Sequence, residues 1–104
     1  MPTIHVLAII TTKPGHLDAA LALFNENAPM VLAEDGCIAY EATIDTVNAG
    51  PTQTIVGPDT FVVVEKWTSL AALEVHAISP HMKSYGARTR DMLANRVIHI
   101  LTPT

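Results

Sequence analysis

An α+β domain, with an antiparallel sheet covered by helices on one face, is the fold class that three observations predict. Apolar, β-branched runs near both ends and in the middle of the chain have the length and alternation of strands. Two stretches between them repeat their apolar residues at helical spacing. The third observation is the segment 61–85, where the run Phe61 to Val64 continues through Glu65 to Trp67 and gives way to Ala71, Ala72, Leu73, His76 and Ala77. The chain there passes from period two to period 3.6.

The first strand is expected over residues 3–12, with Ile4, Val6, Ala8 and Ile10 on one face and His5, Leu7 and Ile9 on the other. Both faces are mostly apolar. Lys13-Pro14-Gly15-His16 is a turn, and Leu17, Ala20, Leu21, Phe24 and Ala28 then form an amphipathic stripe, with Asp18, Asn25 and Glu26 off it. Pro29 lacks a backbone donor, so it is expected to kink or end that helix and leave residues 30–34 as a shorter tail before Gly36.

Residues 37–45 read as the second strand, with Ile38, Tyr40, Ala42 and Ile44 on one face and Cys37, Ala39, Glu41 and Thr43 on the other. Residues 46–59 are loop-like, with a short hairpin extension expected around residues 53–56. The third strand ends at Trp67. Thr68-Ser69 supplies a cap for a helix beginning near Leu70, and Ser79-Pro80 restarts a second helix with proline at its first position. A last strand spans residues 95–101. The order β-α-β-β-α-β is the ferredoxin-like arrangement, which leaves one sheet face without helices. Strands apolar on both faces need both covered, so a homodimer joined through the open faces is expected.

The 104 residues make one domain, 1–104, of a size that gains from association. With 49% hydrophobic and only 15% charged residues, the chain is rich in apolar side chains for a small monomer. A net charge of −4 without a basic run argues against a nucleic-acid partner. No stretch has the length of a membrane span, and residues 1–12 lack a basic start and a small-residue cleavage site, so no membrane association and a cytoplasmic location are expected. The single cysteine excludes an intrachain disulfide and a cysteine-based metal knuckle.

Glu65-x-Trp67 at a strand end, followed by His76, Ser79, Pro80 and His81, resembles the antibiotic biosynthesis monooxygenase family, whose hallmark is E-x-W and then H-x-x-S-x-H on the next helix. The Lys13-Pro14-Gly15-His16 helix entry and Gly36-Cys37 with Tyr40 agree more weakly along the chain. The resemblance implies a dimeric α+β barrel and a cofactor-independent oxygenase acting on a quinol or phenolic aromatic, with the histidine matching His76 at the cavity. Such chemistry needs a base, because a phenol donates electrons readily to dioxygen only once deprotonated, and histidine titrates in the useful range. A dry cavity and donors for the resulting anion complete the requirement.

His76 is thus the expected catalytic base, or else a hydrogen-bonding brace at the helix junction. Trp67 is expected as a flat pocket wall whose N–H reaches a substrate oxygen, with core packing as its other role. His81, Tyr85, Glu65 and His5 are the further candidate substrate-binding residues, and Arg88 and Arg90 can meet an anionic oxygen from the last helix. Glu65, at an inward strand position, wants a histidine, a tyrosine or a partner subunit's arginine. His5 and His99 stand on strands that the ferredoxin-like order makes neighbours. Cys37 has no base near it in sequence.

Metal and cofactor are expected to be absent. His76 and His81 are five residues apart, about 140° around a continuous helix, and share a face only if the break at Pro80 brings them together. A haem-degrading branch shares the fold, but His76 and Gly86 stand where its Trp and His would fall, and no Asn occurs in residues 3–12. Some polyketide oxygenases of the main family carry an Asn where this chain has Val63, which puts a polycyclic quinone in doubt. The alternative functions are a non-catalytic, stress-related dimeric barrel holding a small apolar ligand, and an isomerase or decarboxylase using the same histidine without oxygen.

Overall fold

The computed structural model describes residues 3–104. Strand β1 (Ile4–Thr12) leads to α1 (Leu17–Leu32), β2 (Cys37–Thr43) and β3 (Thr60–Trp67), and then to α2 (Leu70–Ala77), α3 (Pro80–Thr89), a 3₁₀ turn (Arg90–Met92) and β4 (Leu93–Leu101). The four strands form one antiparallel sheet in the order β2-β3-β1-β4, the ferredoxin-like topology that the element order predicts.

The register shows which face carries the core. Ile4 pairs with Trp67, Val6 with Glu65, Ala8 with Val63 and Ile10 with Phe61, and all eight side chains are buried. Phe24 and Ala20 of α1 lie against them, with Phe24 stacked on Tyr40 at 4.8 Å and meeting Phe61 edge-on at 6.1 Å. The alternate residues point the other way. His5, Leu7, Ile9, Val62, Val64 and Val97 form a second apolar surface with no helix over it, and Leu7 and Val97 remain 37% and 41% exposed.

Four local features differ from expectation. α1 runs through Pro29 to Leu32; the proline sits near its C-terminal end, so only one ladder bond is lost and Ala33 N–H still bonds Pro29 O at 3.2 Å. β2 carries an irregularity between Cys37 and Ala39, which moves Cys37 to the helix-facing side and leaves Ile38 exposed, against simple alternation. Residues 53–56 form no hairpin. Instead the Asp45 carboxylate accepts from the N–H groups of Val56 (2.9 Å) and Gly57 (3.0 Å) and so ties the loop to the end of β2. β4 begins earlier than expected, at Leu93.

Ser69 caps α2 by accepting from Ala72 N–H at 3.1 Å, as its position before Leu70 predicts. Ser79 is the N-cap of α3 by backbone position, but its hydroxyl donates backward to His76 O at 2.8 Å. That bond braces the junction between α2 and α3. Gly36 holds a positive φ of 86°, and its carbonyl accepts from Thr68 N–H at 2.8 Å, which brings the end of α1 beside the start of α2.

Candidate active site

A cavity of about 570 Å³ lies between the helices and the sheet. Val6, Ala8, Ile10 and Val63 line its floor and Phe24, Leu73 and Met82 its roof. It is open along β4, the edge strand, whose Ile98 and Ile100 line it while half-exposed. An apolar volume of this size suits a small aromatic molecule.

His76 and Glu65 are buried polar residues on its wall. His76 ends α2, and its Nδ1 lies 2.8 Å from Glu34 Oε2. With Nδ1 engaged, Nε2 is the nitrogen left for the cavity. The same Glu34 oxygen lies 2.8 Å from Nε2 of His81, and His81 is also within 3.3 Å of Ser79 Oγ. The break at Pro80 thus makes residues five apart converge, which a continuous helix would not do. Glu34, His76 and His81 present three ligand atoms within 4.8 Å of one another, a donor set able to hold a divalent cation, and the same atoms satisfy one another by hydrogen bonding.

Sequence reasoning missed Glu34. It lies 42 residues from His76, at the end of α1, where no periodicity distinguishes it from a solvated carboxylate. The pairing of Cys37 with Trp67 is the signal that could have found it, since that register sets the residues just before β2 beside those just after β3.

Glu65 has a partner that sequence reasoning did not weigh. Trp67, two residues on and on the same face, donates its indole N–H to Glu65 Oε1 at 2.9 Å. The tryptophan is fully buried and does not line the cavity; its ring stands behind His76 with centroids 4.7 Å apart. Its N–H is therefore spent within the fold, against the expectation of a bond to substrate. Burial pushes the Glu65 carboxyl above the usual carboxylate range, partly offset by the indole bond and the charge of His76. A raised carboxyl contributes its stability below its unfolded pKa and loses it as pH rises through the folded value. Glu65→Gln keeps an acceptor for the indole and removes the ionisable group. We expect it to raise the melting temperature at pH 8 relative to the parent chain, with the gain shrinking towards pH 4; a uniform loss at both pH values would contradict this.

Two phenols complete the wall. Tyr40 and Tyr85 both line the cavity, and burial pushes both upward, Tyr85 to about 12, so each keeps its proton at neutral pH and stays a donor. Tyr40 meets His76 edge-on at 5.5 Å. The remaining candidates lie elsewhere. His81 sits behind His76 on Glu34 and outside this cavity. His5 faces away, on the sheet side without helices, because the alternation that makes Ile4 and Val6 inward turns it outward. His99 lies on that same side, opposite Leu7. Arg88 is paired with Glu26 at 3.1 Å on the surface, whereas Arg90 lines the cavity. Cys37 packs against the core, and its thiol is pushed up by burial and by Glu34 and Glu65, the opposite of an activated nucleophile.

Comparison with known proteins identifies the family. The antibiotic biosynthesis monooxygenase family matches residues 3–88. A protein of Escherichia coli K12 named "Probable quinol monooxygenase YgiN" is 39% identical over 100 residues, covering 94% of this chain and 95% of that protein. Among solved structures, PA3566 of Pseudomonas aeruginosa is 25% identical with a TM-score of 0.83, covering 100% of this chain and 96% of its own. Rv0793 of Mycobacterium tuberculosis is also 25% identical, with a TM-score of 0.79 over 98% of this chain and 95% of its own. With a family match over residues 3–88 and a 39% identical relative over nearly the whole sequence, the chain belongs to the antibiotic biosynthesis monooxygenase family.

Proposed function

We propose that this protein is a quinol monooxygenase in which His76 is the base. The observation that carries the reading is the position of that imidazole, on the wall of an apolar cavity with Nδ1 held by Glu34, which leaves Nε2 as the nitrogen for substrate. A carboxylate on one ring nitrogen fixes the tautomer and stabilises the imidazolium that forms when the other accepts a proton. The 39% identical relative carries the same activity in its name.

In this reaction His76 Nε2 takes a proton from a quinol hydroxyl. The quinolate gives electrons to dioxygen, a C–O bond forms at the ring, and the O–O bond then breaks. One oxygen atom stays on the product, a hydroxyquinone, and the other leaves as water, so one quinol and one dioxygen give one hydroxyquinone and one water. Tyr85, and Tyr40 once it leaves its 3.9 Å contact with Met82 Sδ, are the donors for the anionic oxygen within a largely apolar lining. The proton that His76 took up returns to the departing oxygen, which leaves as water.

The test is oxygen uptake with 1,4-naphthohydroquinone, corrected for autoxidation, with 2-hydroxy-1,4-naphthoquinone as the product. Binding of the quinol without uptake above background would favour the ligand-holding reading, which the largely apolar lining also suits. The second copy belongs to the same proposal. Leu7, Ile9, Val62, Val64 and Val97 leave an apolar sheet face without cover, and a partner presenting the same face would bury it. Sedimentation at micromolar concentration should show a dimer; a monomer there removes the pairing and leaves the site unaffected.

A further inference from the structure

We infer that the cavity takes an aromatic substrate with an acidic substituent at the end remote from its hydroxyl group. The argument starts from the strand register. Val6 of β1 pairs with Glu65 and with Ile100, while Ile10 pairs with Phe61 and with Arg96. Glu65 and Arg96 therefore lie on the same side of the sheet, four residues apart along β1, or about 13 Å at the rise of a strand. Both line the cavity, and so does Arg90, at the start of the 3₁₀ turn. The cavity runs from a proton-handling end at Glu65 and His76 to a cationic end at Arg96, with apolar side chains such as Ala8 and Val63 between.

Solvation alone is the simple account of an exposed arginine. Three features favour a ligand. The chain has six Lys and Arg residues and a net charge of −4, yet two of the six line this one apolar cavity. Arg88, their neighbour in sequence, is held by Glu26, whereas among the described residues neither Arg90 nor Arg96 has an acidic partner at ion-pair distance. Glu65 and Glu34 stand at the opposite end, where a second anion would be repelled. Together these fix the orientation of a two-ended ligand, hydroxyl at His76 and anion at the arginines. Fused rings supply the length between them, and arginine is the side chain suited to a carboxylate.

This inference rests on the monooxygenase reading only for which end reacts, and its test measures binding without turnover. Calorimetric titration of the full chain with 6-hydroxy-2-naphthoate and with 2-naphthol compares an acid with its neutral counterpart. The acid should bind about 10–100-fold more tightly, the scale of a charge-assisted hydrogen bond. In the double variant Arg90→Gln/Arg96→Gln that ratio should fall towards one, each single variant should lose part of it, and salt should narrow it in the parent chain. Equal or tighter binding of 2-naphthol, no binding of the acid at millimolar concentration, or a ratio unchanged in the folded double variant would overturn the assignment. Preference for the acid without oxygen uptake would leave the subsite standing and sink the oxygenase; uptake with neutral quinols and no such preference would do the reverse.

Discussion

Replacing His76 with alanine is expected to lower quinol turnover by about 10²–10⁴-fold, the usual scale for a positioned general base. The pH profile separates this from general damage. In the parent chain the rate should rise with pH as the imidazole loses its proton, because only the neutral ring accepts one from substrate. In His76→Ala the residual rate should instead follow ionisation of the quinol itself. Glu34→Gln offers a second reading of the same pair: with the carboxylate gone, the imidazolium loses its stabilising charge and the tautomer is no longer fixed, so turnover should fall while Nε2 still faces the cavity. His81→Ala is the control, since His81 shares Glu34 but lies outside the cavity. Full activity in folded His76→Ala would end the base assignment and make Glu65 the next residue to test.

The largest loss of stability should come from Gly36→Ala. Gly36 has φ of 86°, a conformation that costs an alanine about 1–2 kcal/mol. A Cβ there would also lie 2.6 Å from Ala72 Cβ and 2.6 Å from Thr68 Oγ1, neither of which can swing aside as the end of a long side chain could. Relieving such overlap typically costs a further 1–3 kcal/mol or so, and the combined loss should lower the melting temperature by roughly 10 °C or more for a domain of this size. Thermal unfolding followed by circular dichroism measures it, and Gly15→Ala is the comparison. Gly15 also has positive φ, at 80°, but nothing lies within 4 Å of its added Cβ, so only the backbone cost remains. If the two variants melt together, the close approach of α1's end to α2 is not what holds this corner.

The fold was legible wherever one periodicity dominated. The switch at Trp67, the cap at Ser69 and the restart at Ser79-Pro80 all lie where the sequence places them, because each depends on neighbours within a turn or two. Alternation along β1 divided its residues correctly into two faces but did not say which face the helices cover. With Leu7 and Ile9 as apolar as Val6 and Ala8, His5 was as eligible for the site as its neighbours until the register was known. The shift at Ile38 and the carboxylate that ties Val56 and Gly57 are irregularities that simple alternation cannot register.

The site divides along the same line. His76 and Glu65 were visible because their positions follow from one strand and one helix, and the resemblance pointed to both. Glu34 was invisible because its link to His76 is a tertiary contact between chain segments 42 residues apart. For Trp67 the expected core packing is what the structure shows, and its N–H goes to Glu65. An indole N–H at a strand end has several acceptors within reach, and only the shared face of residues two apart settles it on Glu65. Arg96 lacked any motif, and its place on the cavity depends on the pairing of β4 with β1.

Trp67 is the only tryptophan in the chain, and it is sealed from solvent between Glu65 and His76. Selective excitation of indole therefore addresses one ring at one place. Because that ring is buried and does not line the cavity, a quencher dissolved in water cannot touch it. An imidazolium 4.7 Å away accepts an electron from excited indole more readily than a neutral imidazole does, so the protonation of the proposed base is written into the chain's own fluorescence.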